Sequence, residues 1–463
     1  MWTILLAGGP CTPPQVPSQD VIVQLFEWPY VDVGRECEAV LGPSGFKAVQ
    51  VSPPQEHVVL TTAPWWERYQ PVSPKLQGRL GDRNAFRTMS RRCVRAGVQV
   101  MVDVVLNHTV GASEGTGSAG TPFRRYAIPG IYDDDAFHSC RRPIQDWTSR
   151  DEIWTCELFG LPDLATEQPS VQHTLARHLD DLSRLGVDGL RIDSAKHIPP
   201  SDLEQILTQA KAPFEVVMEV IDHGNEAVGA KDYAHLGWVT DFRYGMALSN
   251  AFRRNDLASL RTFGSEWGLL PSQTSLVFVD NHDTQRQPAD QRPLTYVDGP
   301  RHEMAVTFML AWPHGRPRVM SSYAFDHRDT GPPLDAEGQV APVLDAAGNC
   351  RGPFVCEHRT RSVRGMLAFR QTVGQAPVTD WWSQGPRRVA FSRGDRGFVV
   401  FNADDVPFKA RIPTSLPPGT YCDVTGRLPA GAPCRWVEVH KDGHAEVWID
   451  RMDVLTLHQA AKH

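Results

Sequence analysis

The stretch GVDGLRIDSAKH, Gly186–His197, opens as an apolar run and closes on Arg191, Asp193, Lys196 and His197. Two further apolar runs lead to acids. FEVVMEVI carries Glu219, and TSLVFVD runs into Asn281, His282 and Asp283. Two carboxylates flanking one bond are the minimum for cleaving a glycosidic link: one attacks or activates water, and the other holds a proton at neutral pH. Like charges and partial burial drive the pKa values of such a pair apart, which supplies both protonation states. Any one of these acids could instead be a salt-bridge partner of Arg191 or Arg243. Three of them at the ends of three apolar runs point to chemistry.

Those runs belong to a longer series. VIVQLF (Val21–Phe26), FKAVQVS (Phe46–Ser52), VQVMVDVVL (Val98–Leu106) and VDGLRID (Val187–Asp193) come first. FEVVMEVI (Phe214–Ile221), WVTDFRY (Trp238–Tyr244), TSLVFVD (Thr274–Asp280) and PRVMSSY (Pro317–Tyr323) follow. Continuous apolar runs of this length predict parallel strands buried on both faces. Amphipathic helical runs lie between them. NAFRTMSRRCVRA follows Asp82, an N-cap residue type, and SVQHTLARHLDDLSRL sets Val171, Leu175, Leu179, Leu182 and Leu185 at helical spacing. DLEQILTQA, EMAVTFMLAW and SVRGMLAFRQTVG continue the pattern. The alternation predicts an α/β fold, a (β/α)₈ TIM barrel. A doubly wound sheet would carry a Gly-rich turn after its first strand, where this chain has LFEWPY. In a barrel, catalytic groups sit at the C-terminal ends of strands. The third run ends in Asp103, Asn107 and His108, so four strand ends carry polar clusters that converge on one cup.

Two regions break the alternation. Residues 108–163 hold a Gly/Ser-rich stretch, Gly111–Gly120, an acidic triplet and two cysteines, too long for a plain loop and read as a small domain inserted after the third strand. It divides the barrel into residues 20–107 and 164–375. From residue 376 to 463 helical signals disappear, and GFVVFNA, ARIPTSL, GTYCDVT and HAEVWIDRMDVLTLH predict a C-terminal antiparallel β-sandwich domain. Residues 1–19, apolar and then Pro-rich, read as a leader or the remnant of a secretory signal. The net charge of −7 argues against a nucleic-acid partner, and no 18-residue apolar run predicts a membrane span. Nine cysteines without a C-x-x-C zinc spacing point to disulfides in an oxidising compartment, hence a secreted, extracellular protein; a scatter of buried thiols is the alternative.

APWWERYQP places Trp65, Trp66, Tyr69 and Gln70 after the second strand, and flat aromatic faces suit the apolar faces of sugar rings. With DVVLNH (Asp103–His108), GLRIDSAKH (Gly189–His197), EVID (Glu219–Asp222) and FVDNHD (Phe278–Asp283), in order along the chain, the sequence resembles the α-amylases of glycoside hydrolase family 13, of the chloride-dependent animal-like type. GFKAVQVSPPQEH and PRVMSSY extend the likeness.

The resemblance implies that Asp193 is the nucleophile, Glu219 the acid/base and Asp283 the third carboxylate. It implies that Trp65, Trp66, Tyr69, Gln70, His108, Arg191, Lys196, His197 and His282 line the substrate cleft or orient the nucleophile. A structural calcium ion would be held by Asn107 and Asp163 and by the main-chain carbonyls of Trp154 and His197. Arg191, Asn281 and Arg318 would hold an activating chloride. Disulfides Cys37–Cys93, Cys140–Cys156, Cys350–Cys356 and Cys422–Cys434 follow in the same way and leave Cys11 over. Two departures stand out: one family disulfide lacks its cysteines, and TQRQPADQRPLTY replaces the Gly-rich mobile loop after NHD. The expected substrates are starch, glycogen and maltooligosaccharides, cut by a monomeric endo-hydrolase. The rival readings are a transglycosylase on the same machinery, a non-catalytic carbohydrate-binding relative, and a metal-dependent barrel hydrolase using His108, His197 and His282.

Overall fold

The computed structural model describes residues 20–426 and 434–463; residues 1–19, the expected leader with Cys11, lie outside them. Eight parallel strands close into a barrel in chain order: β1 Ile22–Leu25, β2 Ala48–Val51, β3 Gln99–Val105, β4 Gly189–Asp193, β5 Glu215–Met218, β6 Trp238–Thr240, β7 Ser275–Val277 and β8 Arg316–Ser321. Helices α1 Tyr30–Glu36, α2 Arg83–Arg95, α3 Pro169–Arg184, α4 Pro200–Gln209, α5 Phe242–Arg253, α6 Pro300–Ala311 and α7 Arg361–Val373 surround it. The sixth strand is shorter than its apolar run predicts. Asp241 accepts a hydrogen bond from the Arg243 amide at 3.2 Å and starts α5, which turns DFRY from strand into helix. Asp82 caps α2 by accepting from the Ala85 amide at 2.8 Å.

The barrel interior is layered. Ile22, Ala48, Met101, Val217 and Leu276 form an apolar plug. Because side chains alternate along a strand, the position two residues on faces the same way. On β1, β2 and β3 that step gives Gln24, Gln50 and Asp103, and from Val217 it gives Glu219. On β4, Gly189 takes the plug level, and Arg191 and then Asp193 follow. A Cβ at Gly189 would stand 3.0 Å from the Met101 side chain and 3.1 Å from the Glu215 carbonyl, so glycine permits the close packing beneath Arg191.

Between β3 and α3 lies the inserted region, with a hairpin of Glu114–Thr116 and Pro122–Arg124, a short helix Arg150–Thr155, and Cys140–Pro143 paired with Cys156–Glu157. Buried Glu56, just after β2, anchors it by accepting from the amides of Ala119 at 2.8 Å and Thr121 at 2.9 Å.

The C-terminal domain is a sandwich of two four-stranded antiparallel sheets. Its strands are β9 Val378–Gln384, β10 Arg388–Arg393, β11 Gly397–Asn402, β12 Phe408–Pro413, β13 Gly419–Asp423, β14 Arg435–Val439, β15 His444–Ile449 and β16 Asp453–His458. One sheet runs β9-β10-β11-β16 and the other β12-β15-β14-β13. Phe398, Val400, Leu455 and Leu457 pack against Phe408, Ile412, Val447 and Ile449 between the sheets. The far face of the first sheet joins the barrel core, where Phe391 meets Trp312 edge-on at 5.4 Å. Disulfides join Cys37–Cys93, Cys140–Cys156, Cys350–Cys356 and Cys422–Cys434. The first spans 56 residues, for which chain entropy alone gives about 4 kcal/mol.

Candidate active site

Arg191 is the hub of the cup. Its guanidinium is fully buried; Nη1 lies 2.6 Å from both Asp103 Oδ1 and Asp193 Oδ1, and Nη2 pairs with Glu219. Salt bridging and catalysis are therefore not rival accounts of these acids: one arginine holds two of the three candidates together. Tyr69 Oη donates to Asp103 Oδ2 at 2.9 Å and fixes the far side of that carboxylate. Ser194, at the end of β4, holds φ +49°, a left-handed conformation that costs a non-glycine residue energy. The strain aims its amide at Glu219 Oε2, 2.9 Å away, and its hydroxyl at Asp193 Oδ2, 3.0 Å away.

The side chains of Asp193 and Glu219 are 10% and 7% exposed. Burial, with the Asp193 charge adding to it, holds the Glu219 carboxyl above its usual range against the opposing pull of Arg191. Asp103 is pushed up to about 7, chiefly by burial. Asp283 is the most open of the acids, with 35% of its side chain exposed. Loss of hydration on the cleft floor and the nearby Glu219 charge still push it up to about 7. His282 Nδ1 accepts from Gln24 Nε2 at 3.1 Å, which leaves the ring proton on Nε2, facing Asp283 Oδ2 at 3.4 Å.

The aromatic loop lies on the same face. Tyr69 and Phe26 stack on either side of the His282 ring, with centroids at 5.3 and 4.7 Å, and Trp65 stands edge-on to it at 5.4 Å. Trp65 Nε1 donates to the Arg328 carbonyl at 2.9 Å and Trp66 Nε1 to Asp329 at 3.2 Å, so the connection after β8 pins both rings. Gln70 Oε1 accepts from the Gly111 amide at 3.1 Å, tying the loop to the inserted region. His108 donates to the Tyr69 carbonyl at 2.9 Å. Lys196 is engaged away from the carboxylates: its Nζ donates to the Ile221 carbonyl at 2.8 Å and pairs with Glu226. The His197 ring donates to the Ile153 carbonyl at 3.1 Å. His108, His197 and His282 thus have separate partners and do not assemble as a metal triad.

Two oxygen donors suited to a hard cation meet just past the end of β3, where the inserted region joins the barrel. Asn107 and Asp163 are neighbours, and the amide of Asn107 favours the Asp163 carboxylate. Asp163 Oδ1 is buried without a partner, and burial pushes this carboxyl up to about 7. Among the described residues no cluster of three or more His, Cys, Asp or Glu is placed to hold a metal ion. A cation here would rest on one carboxylate, an amide and main-chain carbonyls, the donor set of calcium. An anion cradle fits equally well. Arg318 is buried, donates to Gln50 at 2.9 Å and leaves Nε without a partner, as Arg191 does with its own Nε. Burial and the Arg191 charge lower the Arg318 pKa to about 10, a stress that an anion relieves. Asn281 lies in the turn after β7, where its side-chain oxygen accepts from the amides of Asp283 and Thr284 at 3.1 and 2.8 Å.

Residue-by-residue reading of the sequence assigns no task to Arg286, yet its guanidinium is central. It donates to the His282 carbonyl at 2.6 Å and to Tyr323 Oη at 2.8 Å, over the rings of Phe325 at 4.3 Å and Trp65 at 5.0 Å. Only His282 is a neighbour in sequence; Tyr323, Phe325 and Trp65 come from distant segments, so no local signal announces the cluster. Asp103, one of the polar residues expected at the strand ends, stands two residues beyond Met101 on an inward-facing register.

Residues 45–225 match the family described as alpha amylase, catalytic domain, and residues 381–460 the alpha amylase C-terminal all-beta domain. The alpha-amylase-related proteins of Drosophila mauritiana and Drosophila melanogaster are each 42% identical over 471 residues, covering 96% of this chain and 94% of theirs. The wild-type alpha-amylase I of Eisenia fetida superposes with a TM-score of 0.89 at 37% identity, covering 96% of this chain and 97% of that one. A variant of the same enzyme in complex with maltohexaose gives 0.90 at 36%, with the same coverage. Likeness of this extent in both domains settles kinship: the chain belongs to the alpha-amylase family, glycoside hydrolase family 13.

Proposed function

We propose that this protein is a secreted α-amylase, a retaining endo-hydrolase of α-1,4-glucosidic bonds in starch, glycogen and maltooligosaccharides. The observation that carries the reading is the pairing of Asp193 and Glu219 on one buried guanidinium while burial holds Glu219 toward its protonated form. The arrangement is compact, as a nucleophile and acid/base need to be. Asp193, oriented by Arg191, attacks the anomeric carbon; the bond to the leaving oxygen breaks as Glu219 delivers its proton to that oxygen. Glu219 then takes a proton from the water that attacks the same carbon, and the Asp193 carboxylate is released. Two inversions leave the configuration retained. In this reading Asp283, beside His282, holds sugar hydroxyls, and Trp65 lines the cleft. The α-amylase-like relatives and the four disulfides support the reading and its secreted setting.

Asn107, Asp163 and the carbonyls of Trp154 and His197 would hold calcium, which supplies positive charge to a buried carboxylate and ties the inserted region to the barrel. Arg191, Asn281 and Arg318 would hold chloride, whose charge favours the protonated form of Glu219.

Starch hydrolysis with anomeric product analysis tests the main reading: products are expected as α-anomers of shorter chain length. β-Anomers would overturn retention, and net growth of maltooligosaccharide chains would favour the transglycosylase.

Chloride gives a second expected result. An anion near Glu219 raises its pKa, so replacing sulfate by chloride at constant ionic strength moves the alkaline limb of kcat/KM to higher pH. In Arg318→Gln the limb is expected not to move between the two salts. A limb that still responds in the variant would remove Arg318 from the anion site.

A further inference from the structure

The outer sheet of the C-terminal domain has one packed face and one open face. Val437, Val439, Ala445, Val447 and Ile449 point inward and are buried. The alternate positions on β14 and β15 hold Trp436, 51% exposed, and Trp448, 54% exposed. Glu438 pairs with Glu446 across these two strands. Trp436 lies two residues from Glu438, and Trp448 two residues from Glu446, in opposite strand directions. By that alternation both indoles emerge on the outer face of the sheet, on neighbouring strands. Apart from Trp147 in the inserted region, these are the strongly exposed tryptophans among the described residues. Neither ring covers the other; among the described residues the ring contact seen at this pair is His463 with Trp436, at 5.2 Å and 52°.

An exposed aromatic pair on a sheet face marks a ligand when its surroundings match one. Lys409 lies opposite Trp448 and pairs with Glu446 at 2.5 Å. His440 sits between Glu438 and Glu446, 3.4 and 3.8 Å from them. The core of a protein–protein interface is depleted in Glu and Lys, whereas here both flank the rings. A lipid surface would call for an excess of basic residues, and these charges are mixed. A pyranose ring meets the pattern from both sides: its C–H face lies on an indole, and its hydroxyls reach charged donors and acceptors at the rim.

We propose that Trp436 and Trp448 form a second binding site, away from the cup, for a chain of an α-1,4-glucan. The inference rests on the proposed function for the linkage of the glucan. A polymer long enough to reach both sites is held by each, so the outer sheet raises the local concentration of substrate for the cup.

The test uses the full chain carrying Glu219→Gln, so that adsorption is measured without turnover. Sedimentation with granular starch is expected to show adsorption about tenfold weaker in the Trp436→Ala/Trp448→Ala double variant, and largely kept in Trp448→Phe, which retains a ring. In the active background, the double variant is expected to cleave maltoheptaose at the parent rate and granular starch more slowly. Unchanged starch adsorption in the double variant would overturn the proposal. So would an equal loss of adsorption to cellulose, or a dimer in sedimentation velocity that only the parent forms. Failure of the parent to cleave maltoheptaose would sink the proposed activity and leave the adsorption result to be judged on its own.

Discussion

Glu219→Gln is expected to lower starch turnover by about 10³-fold, and Asp193→Asn by at least as much, with neither change unfolding the protein. Both side chains are nearly buried on Arg191, and each amide keeps the shape of the carboxylate it replaces. What is lost differs. Gln at 219 cannot deliver a proton to the leaving oxygen, so a substrate whose leaving group needs no proton, an aryl maltoside with an acidic phenol, should recover much of the first step. Asn at 193 cannot form the glycosyl ester, and the same substrate should recover nothing. Burst kinetics with the aryl maltoside and circular dichroism check both. A large residual starch activity in either variant, or equal recovery in both, would reverse the assignment of roles.

Arg191→Met is expected to abolish activity and to cost about 3–5 kcal/mol of stability, because it strands Asp103, Asp193 and Glu219 in the barrel without their shared cation. The sign of its pH dependence follows from the carboxyls. Asp103 already sits at about 7 against its usual 3.8, so the folded state keeps a proton that the unfolded chain gives up. Stability is then lost as pH rises from about 4 toward 7. Removing Arg191 raises the Asp103 carboxyl further, so the deficit against the parent should grow from about pH 7 upward, where the parent's own loss has ended. Urea midpoints across that range measure it. A deficit of the same size at every pH would mean that packing, rather than charge, is what Arg191 supplies. Arg191→Lys keeps a charge but lacks the planar fork that reaches three carboxylates, and should fall between the two.

The sites of these variants were legible in the sequence to different degrees. Asp193, Glu219 and Asp283 stand out because polar residues at the end of an apolar run are costly unless they are used. The periodicity of buried strands gave their order and their common rim. It also overextended β6, since a single capping acid, Asp241, outweighs the strand propensity of the residues after it. Lys196 illustrates the opposite limit. Its place beside the nucleophile in sequence does not name its partners, the Ile221 carbonyl and Glu226, which come from the connection after β5.

The order of strands, the catalytic side-chain types, the cysteines and the departure from a Gly-rich loop after Asp283 are properties of the chain as written, because they depend on local pattern and residue chemistry. That Asp103, Asp193 and Glu219 share one guanidinium was decided by barrel closure and register, which put β3, β4 and β5 side by side with their inward positions level. The same holds for Arg286 under four aromatic rings and for the two tryptophans on one face of the outer sheet. Contacts between residues far apart in sequence carry no local periodicity; they exist only after the strands have been ordered and aligned, so the tertiary structure alone selects them.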